Sequence, residues 1–245
     1  MQTAHIEWRK NQPYSIDYND IYFSTEDGLK ESHAVFIDKN NLVNRFKDLS
    51  EPLFTIIETG FGTGLNFLAI ANCWCSYAPQ HAALHYISIE KTPLNLADLT
   101  RAHALWPQLS TVSNALNEVY HQLNYGRNNF DVVASHINLE LWIGDVNDAL
   151  RSINQLADAW VLDGFAPAKN QDMWTAQIFE HMARLSSSTT TFATFTSAGD
   201  VRRGLQAVGF NCTKHAGYGK KREMLSGVFT NSVSIIDKCS INLKS

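Results

Sequence analysis

The stretch IIETGFGTGLNFLAI (56–70) joins two apolar runs through a loop that contains three glycines. The run LFTII (53–57) is rich in β-branched and large apolar residues, which predicts a buried strand. The run LNFLAIANCW (65–74) places apolar residues at helical spacing, so we expect a helix that begins near residue 63 or 64. Strand, loop and helix form the first half of a βαβ unit, in which the helix N-terminus faces a ligand beyond the carboxyl end of the strand.

The glycines follow an acidic residue in the spacing Glu58-x-Gly60-x-Gly62-x-Gly64. A tight turn needs only one glycine, so three within five residues favour a close backbone approach to a ligand. The dinucleotide fingerprint G-x-G-x-x-G requires a small residue where Leu65 stands. A pyrophosphate also favours a helix N-terminus without a carboxylate nearby, so both observations argue against an NAD-dependent reductase.

The same spacing resembles motif I of the class I S-adenosylmethionine (SAM) methyltransferases. In that family the loop wraps the methionine and ribose part of the cofactor. SAM carries an ammonium and a sulfonium group, so a carboxylate such as Glu58 beside the loop suits it electrostatically.

Composition places the chain among globular proteins. Its 245 residues are 44% hydrophobic and 18% charged, enough for one large core with room for an appendage. We expect an extension of short strands or a lid over 1–50, a catalytic domain over 51–231 and a tail over 232–245. No apolar run or leader suggests a membrane or secretion, and the four cysteines form no C-x-x-C pair. The expected protein is therefore cytoplasmic, with reduced thiols, no membrane partner and no metal.

Predicted strands and helices alternate along the chain, which indicates an α/β fold. We expect a mostly parallel, Rossmann-like sheet with helices on both faces and an antiparallel hairpin at the end of the chain. Beyond the first unit, the predicted strands are 85–91, a hairpin within 130–145, 159–165, 189–196, 210–218 and 224–230, and the predicted helices are 95–105, 113–124, 172–185 and 198–210. In the first fifty residues, DYNDIYFS and HAVFID are interpreted as short strands or a lid.

Four acidic residues stand at the predicted strand ends: Glu58, Glu90, Asp145 and Asp163. A single acid there is often a helix cap or a turn residue. Four in succession instead suit an adenosine cofactor without phosphates, because ligands of open α/β sheets lie beyond the carboxyl ends of the strands. Glu90 would accept hydrogen bonds from ribose hydroxyls, and Asp145 from the adenine amino group.

The most distinctive stretch is VLDGFAPAKNQDMW, which contains Asp163. Asp, Gly and Pro here are also compatible with a simple turn. Together with five other blocks, however, the stretch is similar to the methyltransferase half of the MnmC family, the bifunctional enzymes that finish 5-methylaminomethyl-2-thiouridine at the tRNA wobble position. The similar blocks are DIYFS (20–24), ETGFGTGLNF (58–67), LDGFAPAKNQDMW (162–174), FATFTSAG (192–199), VRRGLQ (201–206) and GYGKKREML (217–225).

The resemblance spans residues 17–228 and has two departures. Gln171 replaces a proline that the family usually carries, a loop substitution that we expect to be tolerated. The family's flavin-dependent oxidase half has no counterpart, so no FAD is expected here. Such an oxidase, as a domain or a separate protein, would be a partner.

The resemblance implies methyl transfer from SAM to the primary amine of 5-aminomethyluridine at the wobble position. Asp163 would accept a hydrogen bond from the amine, and Phe165 and Pro167 would wall the acceptor, although Phe165 is equally compatible with a core position. The residues expected to bind the cofactor are Glu58, Gly60, Phe61, Gly62, Gly64, Asn66, Glu90, Lys91, Asp145 and Asp163.

Residues 201–222 contain six basic side chains and no acidic ones, in a chain of formal net charge −4. A run of charge is often only a solvated face. Given the resemblance, we expect contacts with phosphates of the tRNA anticodon stem-loop. The expected RNA-binding residues are Lys169, Arg202, Arg203, Lys220, Lys221 and Arg222. Two alternatives stay open: a SAM-dependent methyltransferase of another amine, and a tRNA-binding module without catalysis.

Overall fold

The computed structural model describes residues 2–24, 27–133, 136–219 and 221–230. The expected tail over 232–245 and Ser135 of the expected hairpin turn lie outside these ranges. Among the described residues the strands are β1 (Ile6–Arg9), β2 (Gln12–Ser15), β3 (Asp20–Ile21), β4 (Leu53–Thr59), β5 (Ala83–Glu90), β6 (Gly126–Val133), β7 (Ile137–Ile143), β8 (Ala157–Leu162), β9 (Ser186–Thr194), β10 (Phe210–Ala216) and β11 (Glu223–Phe229).

Strands β4 to β11 form one sheet in the order β10-β11-β9-β8-β4-β5-β7-β6. The four inner pairings, from β9 to β7, are parallel, and the pairings of β6 and of the β10–β11 hairpin are antiparallel. The predicted fold class is therefore confirmed. The chain runs outward from β4 through β5 to β7 and then returns to β8 on the other side of β4. Ligands of such sheets bind where the strand order reverses, here beyond the carboxyl ends of β4 and β8.

Helices cover both faces of the sheet. They are α1 (Gly28–Ser32), α2 (Leu42–Lys47), α3 (Leu65–Tyr77), α4 (Leu96–His103), α5 (Ser110–Tyr120), α6 (Val146–Ser152), α7 (Ala176–Arg184) and α8 (Gly199–Ala207). One apolar cluster packs α2 to α5 on the sheet, and a second packs α6 to α8 on its other face. The predicted helix over 172–185 is divided, because the Thr175 side chain accepts a hydrogen bond from Ile178 N and starts α7 there.

The first fifty residues contain both strands and helices. Strands β1 to β3 form a small antiparallel sheet. The interpretation of HAVFID as a short strand was wrong, because His33–Ile37 is a π-helical turn whose last three residues are buried. Phe46 of α2 is fully buried and packs edge-to-face on Phe54 and Trp74, with ring centroids 5.1 and 4.9 Å apart. Each such pair contributes about 0.5–1.5 kcal/mol beyond the stabilisation that comes from burying its apolar surface. Because it packs in this way, the segment is part of the main core.

Packing of the N-terminal segment changes the environment of α3. The sequence pattern assigns one apolar face to this helix, but residues 65–71 are all buried. The sheet covers one side of α3, and α1, the π-helical turn and α2 cover another. Asn66 is consequently buried at the N-terminal end of the helix. In the described part of the chain, no helix has the length and apolar character needed to cross a membrane.

Candidate active site

The glycine loop after β4 adopts the left-handed backbone that its composition requires. Gly60, Gly62 and Gly64 have φ values of 85°, 54° and 73°. A Cβ on Gly60 would lie 2.9 Å from the Asp163 carbonyl oxygen, and one on Gly64 would lie 2.8 Å from the Phe61 ring. The close approach at these two positions is therefore to the protein's own chain, which lets the loop fold against the end of β8.

Hydrogen bonds from neighbouring strands hold this loop in place. The Glu90 carboxylate accepts from Gly62 N and from Thr92 N, both at 2.9 Å. On the far side of the loop, His103 Nε2 lies 2.8 Å from the Thr63 carbonyl oxygen. His103 is buried, and burial lowers its pKa, so the neutral ring donates to that carbonyl. The sequence pattern gave no sign of this role for His103.

A cavity of about 330 Å³ opens beyond the carboxyl ends of the central strands. One side, which we call the loop wall, consists of Gly60, Gly62, Glu90, Lys91 and Asp145. Asp145 also caps α6 by accepting from Asn147 N at 2.9 Å. The cap and the cavity therefore share one carboxylate, since each of its oxygens has more than one lone pair.

The other side, which we call the aromatic wall, consists of Tyr18, Tyr22, Phe165 and Phe195. Tyr18 and Phe165 are stacked with centroids 4.5 Å apart and an interplanar angle of 22°, and Tyr22 meets Phe165 edge-on at 5.2 Å. Phe165 is half-buried and lines the cavity, so it is not a core residue. Pro167 is in the same loop but does not line the cavity.

Asp163 lies where the two walls meet. Its Oδ1 accepts from Gly164 N at 2.7 Å, and its Oδ2 accepts from Asn66 Nδ2 at 2.6 Å. Burial raises the pKa of this carboxyl to about 6, although these two hydrogen bonds and the charge of Lys221 act to lower it. The side chain is ionised at neutral pH and is a much stronger base than an exposed aspartate.

Glu58 lies beneath the loop and does not line the cavity. It is fully buried in β4, where Ser88 Oγ donates to one carboxylate oxygen at 2.7 Å and Asn66 Nδ2 to the other at 3.0 Å. Burial raises the pKa of Glu58 well above its usual range. Of the four acidic residues expected to face a cofactor, the structure brings Glu90, Asp145 and Asp163 to the cavity and places Glu58 behind Asn66.

Of the remaining residues expected at the cofactor, some line the cavity and one does not. Phe61 and Asn66 line the cavity although both are largely buried. Gly64 is the N-terminal cap position of α3 and lies outside the cavity lining.

Two lysines that were expected to bind RNA are held by carboxylates of the N-terminal segment. Lys221 Nζ lies 2.7 Å from Glu31 Oε1 and 4.0 Å from the centroid of the Phe195 ring, inside the cavity lining. Lys169 Nζ lies 3.1 Å from Asp20 Oδ1.

The other expected RNA contacts lie on α8 and on the β10–β11 loop. Arg203 is exposed and pairs with Asp200, whereas Arg202 is half-buried. Arg222 is exposed. Lys220 lies outside the described residues.

Comparison with known sequences adds the family. Residues 107–230, which include Asp145 and Asp163, match the sequence model of a family described as S-adenosyl-L-methionine-dependent methyltransferase. The chain belongs to this family. The match covers half of the chain and begins after the glycine loop, so loop and family model are independent indications of the same cofactor.

A curated relative and a solved structure are similar to this methyltransferase over nearly its whole length. The tRNA 5-methylaminomethyl-2-thiouridine biosynthesis bifunctional protein MnmC of Methylobacillus flagellatus is 51% identical over 93% of this chain, which spans 35% of that protein. The crystal structure of MNMC2 from Aquifex aeolicus superposes with a TM-score of 0.70, at 19% identity, over 94% of this chain and 71% of the other. The structural likeness supports the fold.

The cavity of this methyltransferase suits SAM. Each Glu90 oxygen already accepts one backbone N–H and keeps capacity for a ribose hydroxyl. Glu90 and Asp145 would repel a pyrophosphate but tolerate a cationic cofactor.

Sequence reasoning missed several residues that line the cavity of the methyltransferase. They are Tyr18, Tyr22, Glu31, Met173, Phe195 and Tyr218. Tyr22, Met173, Phe195 and Tyr218 belong to blocks that resemble the MnmC family, which was the one available signal for them. Tyr18 and Glu31 come from segments whose local patterns say nothing about a cavity.

Proposed function

We propose that this methyltransferase transfers a methyl group from SAM to the aminomethyl nitrogen of 5-aminomethyl-(2-thio)uridine at the tRNA wobble position. The product would be 5-methylaminomethyl-(2-thio)uridine. The observation that carries the proposal is the Asp163 carboxylate at the junction of the loop wall and the aromatic wall. The name of the Methylobacillus relative supports the choice of acceptor.

The loop wall would hold the cofactor. Glu90 would accept from the ribose, Asp145 from the adenine amino group, and the loop around Gly62 would lie along the methionine part. SAM, when bound, supplies an electrophilic methyl group on a sulfonium. The backbone of the loop is already held by Glu90 and His103, so the loop loses little conformational entropy when the cofactor binds.

Asp163 and the aromatic wall would hold the acceptor. An alkylamine has a pKa near 10.4 and is protonated in water, and an ammonium has no lone pair to donate. Desolvation between Tyr18, Tyr22 and Phe165 disfavours the ammonium form. The ionised Asp163 would accept a hydrogen bond from the neutral amine and direct its lone pair, and such positioning is a major source of rate in group transfer. Even with a pKa of about 6, Asp163 is a weak base toward an amine, so orientation is its main role.

An unpaired wobble base suits the aromatic wall. Single-stranded loop bases are commonly splayed out and stacked on aromatic side chains, and Phe165 and Tyr18 offer such faces. The partner in this proposal is the tRNA anticodon stem-loop, with exposed Arg203 and Arg222 as phosphate contacts. A flavin-dependent oxidase that prepares the amine would act before this enzyme, and the chain itself would act in the cytoplasm.

One observation favours a second acceptor class, an amine outside RNA. Asp20, Glu31 and Asp172 line the cavity, and the two lysines beside it are held by two of these carboxylates. An acidic opening attracts a free alkylammonium and repels phosphate.

Methyl transfer to tRNA tests the proposal directly. The protein is incubated with labelled SAM and bulk tRNA from cells that lack this modification, and the product nucleosides are analysed. We expect labelled 5-methylaminomethyl-(2-thio)uridine, formed at least about 100-fold more slowly with Asp163→Ala. Intact SAM binding by calorimetry without any incorporation into tRNA would disprove the acceptor and direct attention to free amines.

A further inference from the structure

A single buried amide connects the two carboxyls nearest the junction of the walls. Asn66, at the start of α3, is 6% exposed and makes three hydrogen bonds with residues of three different elements. Its partners are Ser32 at the end of α1, Glu58 in β4 and Asp163 after β8. Two of these partners are buried more deeply than Asn66 itself.

Ser32 anchors the oxygen end of the amide. Its Oγ lies 2.6 Å from Asn66 Oδ1 and donates to it, and Ser32 is 5% exposed. The ionised Asp163 carboxylate only accepts, so it requires the NH₂ group of Asn66 on its side and leaves Oδ1 to accept from Ser32. The opposite orientation would place Oδ1 against the ionised Asp163 carboxylate, which is repulsive.

Both protons of the amide are then used within the protein. Asn66 Nδ2 donates to Asp163 Oδ2 at 2.6 Å and to Glu58 Oε1 at 3.0 Å. An NH₂ group has two donors, so none is left for a cofactor. Asn66 was expected to bind SAM, but it could offer the cofactor only the one unused lone pair on Oδ1.

The Asp163 carboxylate is held from two directions as a result. Gly164 N donates to Oδ1 at 2.7 Å, and Asn66 donates to Oδ2. Two short donors on different oxygens fix the rotation of the carboxylate, and its remaining lone pairs serve the cavity. We propose that Asn66, anchored by Ser32, is a positioning residue that holds the Asp163 carboxylate ready to accept a hydrogen bond from the substrate amine, and that it acts through Asp163 instead of through the cofactor.

This inference rests on the proposed function, in which Asp163 touches the amine. Other ionisable groups also face Asp163: Glu58 from β4, Tyr86 from β5, Glu31 from α1 and Lys221 from the β10–β11 loop. Glu31 and Lys221 act on Asp163 in opposite directions and pair with each other, so substitution of Asn66 leaves their combined effect in place.

The first test follows the protonation of Asp163 and needs no substrate. The ¹³C shift of its side-chain carboxyl is measured against pH, and the signal is assigned by its absence in Asp163→Asn. Loss of a charge-assisted hydrogen bond in Asn66→Ala should raise the midpoint by about one pH unit. The matched control is Asn72→Ala, on the same helix and outside the cavity lining, which should leave the midpoint unchanged.

The second test separates positioning from cofactor binding. For Asn66→Ala we expect kcat to fall about 100-fold, because small misplacements of a catalytic group have effects of this size. The Kd for SAM should stay within about threefold of the wild type, since a lone remaining acceptor contributes little. The acidic limb of the kcat profile should move upward together with the NMR midpoint.

Ser32→Ala keeps the test decisive if Asn66→Ala does not fold. Without Ser32 the amide loses the donor that anchors its oxygen, so we expect an intermediate fall in kcat of about tenfold and a smaller rise of the Asp163 midpoint. An unchanged midpoint in both variants, or a tenfold weaker Kd for SAM with kcat intact, would overturn the inference. Failure of tRNA methylation in the wild type would disprove the proposed function alone, because the NMR titration and the SAM titration do not use tRNA.

Discussion

The two walls of the cavity differ in how the chain builds them. The loop wall comes from the carboxyl ends of β4, β5 and β7, which are neighbours in the sheet, and hydrogen bonds to its backbone hold it. The aromatic wall combines residues 18–22, 165 and 195, which are far apart in the sequence and meet only through packing. The comparison teaches that sheet topology alone supplies the loop wall, whereas the aromatic wall depends on the N-terminal segment.

The largest expected effect is loss of the carboxylate where the walls meet. In Asp163→Ala we expect kcat to fall at least about 100-fold, because the amine is no longer oriented. The Kd for SAM should change less than about threefold if the loop wall holds the cofactor alone. Asp200→Ala, an exposed aspartate on α8, is the control. A large loss of SAM affinity in Asp163→Ala would show that the two walls are not separate in function.

The converse substitution addresses the loop wall. Glu90→Ala removes two acceptors for backbone N–H groups and the expected ribose contact, and each lost charged hydrogen bond costs about 1.5–3 kcal/mol. We expect a Kd for SAM about 10- to 100-fold weaker, measured by calorimetry, with kcat at saturating SAM within about threefold of wild type. If kcat falls and affinity is retained, the assignment of Glu90 to the cofactor is wrong.

The pH dependence of activity should follow Asp163. Its pKa of about 6 predicts that kcat/KM falls below pH 6, because the Asp163 carboxylate becomes protonated there. Asp163→Ala should abolish this limb in the residual activity. A limb near pH 4 in the wild type would mean that the carboxylate is well solvated during turnover.

Stability should depend on pH in the opposite direction from activity. The folded-state pKa of Asp163 is raised, so between about pH 4 and pH 6 the folded protein binds more protons than the unfolded chain. The free energy of unfolding should therefore decrease as pH rises through this window, by at most about 3 kcal/mol from this group. Denaturant unfolding at pH 4 and pH 7 measures the change, and Asp163→Ala should show a smaller one.

The smallest expected effects concern the surface charges. Arg222→Ala should raise the KM for tRNA about two- to threefold and reduce the salt dependence of binding by about one ion. Lys221→Ala should change the salt dependence less, because Glu31 already neutralises this lysine. Arg151→Ala on α6, an arginine that pairs with Asp148, is the control. Equal salt effects at residues 221 and 222 would mean that the Lys221–Glu31 pair opens when RNA binds.

The N-terminal fifty residues show where sequence patterns were insufficient. HAVFID has apolar residues that fit a strand as well as a helix, and the core under α2 and α3 decided for a helical turn. The basic run at 201–222 led us to expect phosphate contacts, but position in the fold pairs Lys221 with Glu31. Local composition predicts neither outcome. The helical turn depends on the core that covers it, and the Lys221–Glu31 pair joins residues more than 150 positions apart.

The sequence by itself determined the alternation of strands and helices, the conformation of the glycine loop and the acidic residues that follow the strands. These features arise from periodicity and from backbone preferences that act within a few residues. Only the tertiary structure decided that Glu58 lies behind Asn66, that Asn66 holds Asp163 and that Tyr18 stacks on Phe165. Asn66 and Asp163 meet because buried polar groups need hydrogen-bond partners, and the folded chain brings these two together. They are 97 residues apart in the sequence, so no local pattern predicts the contact.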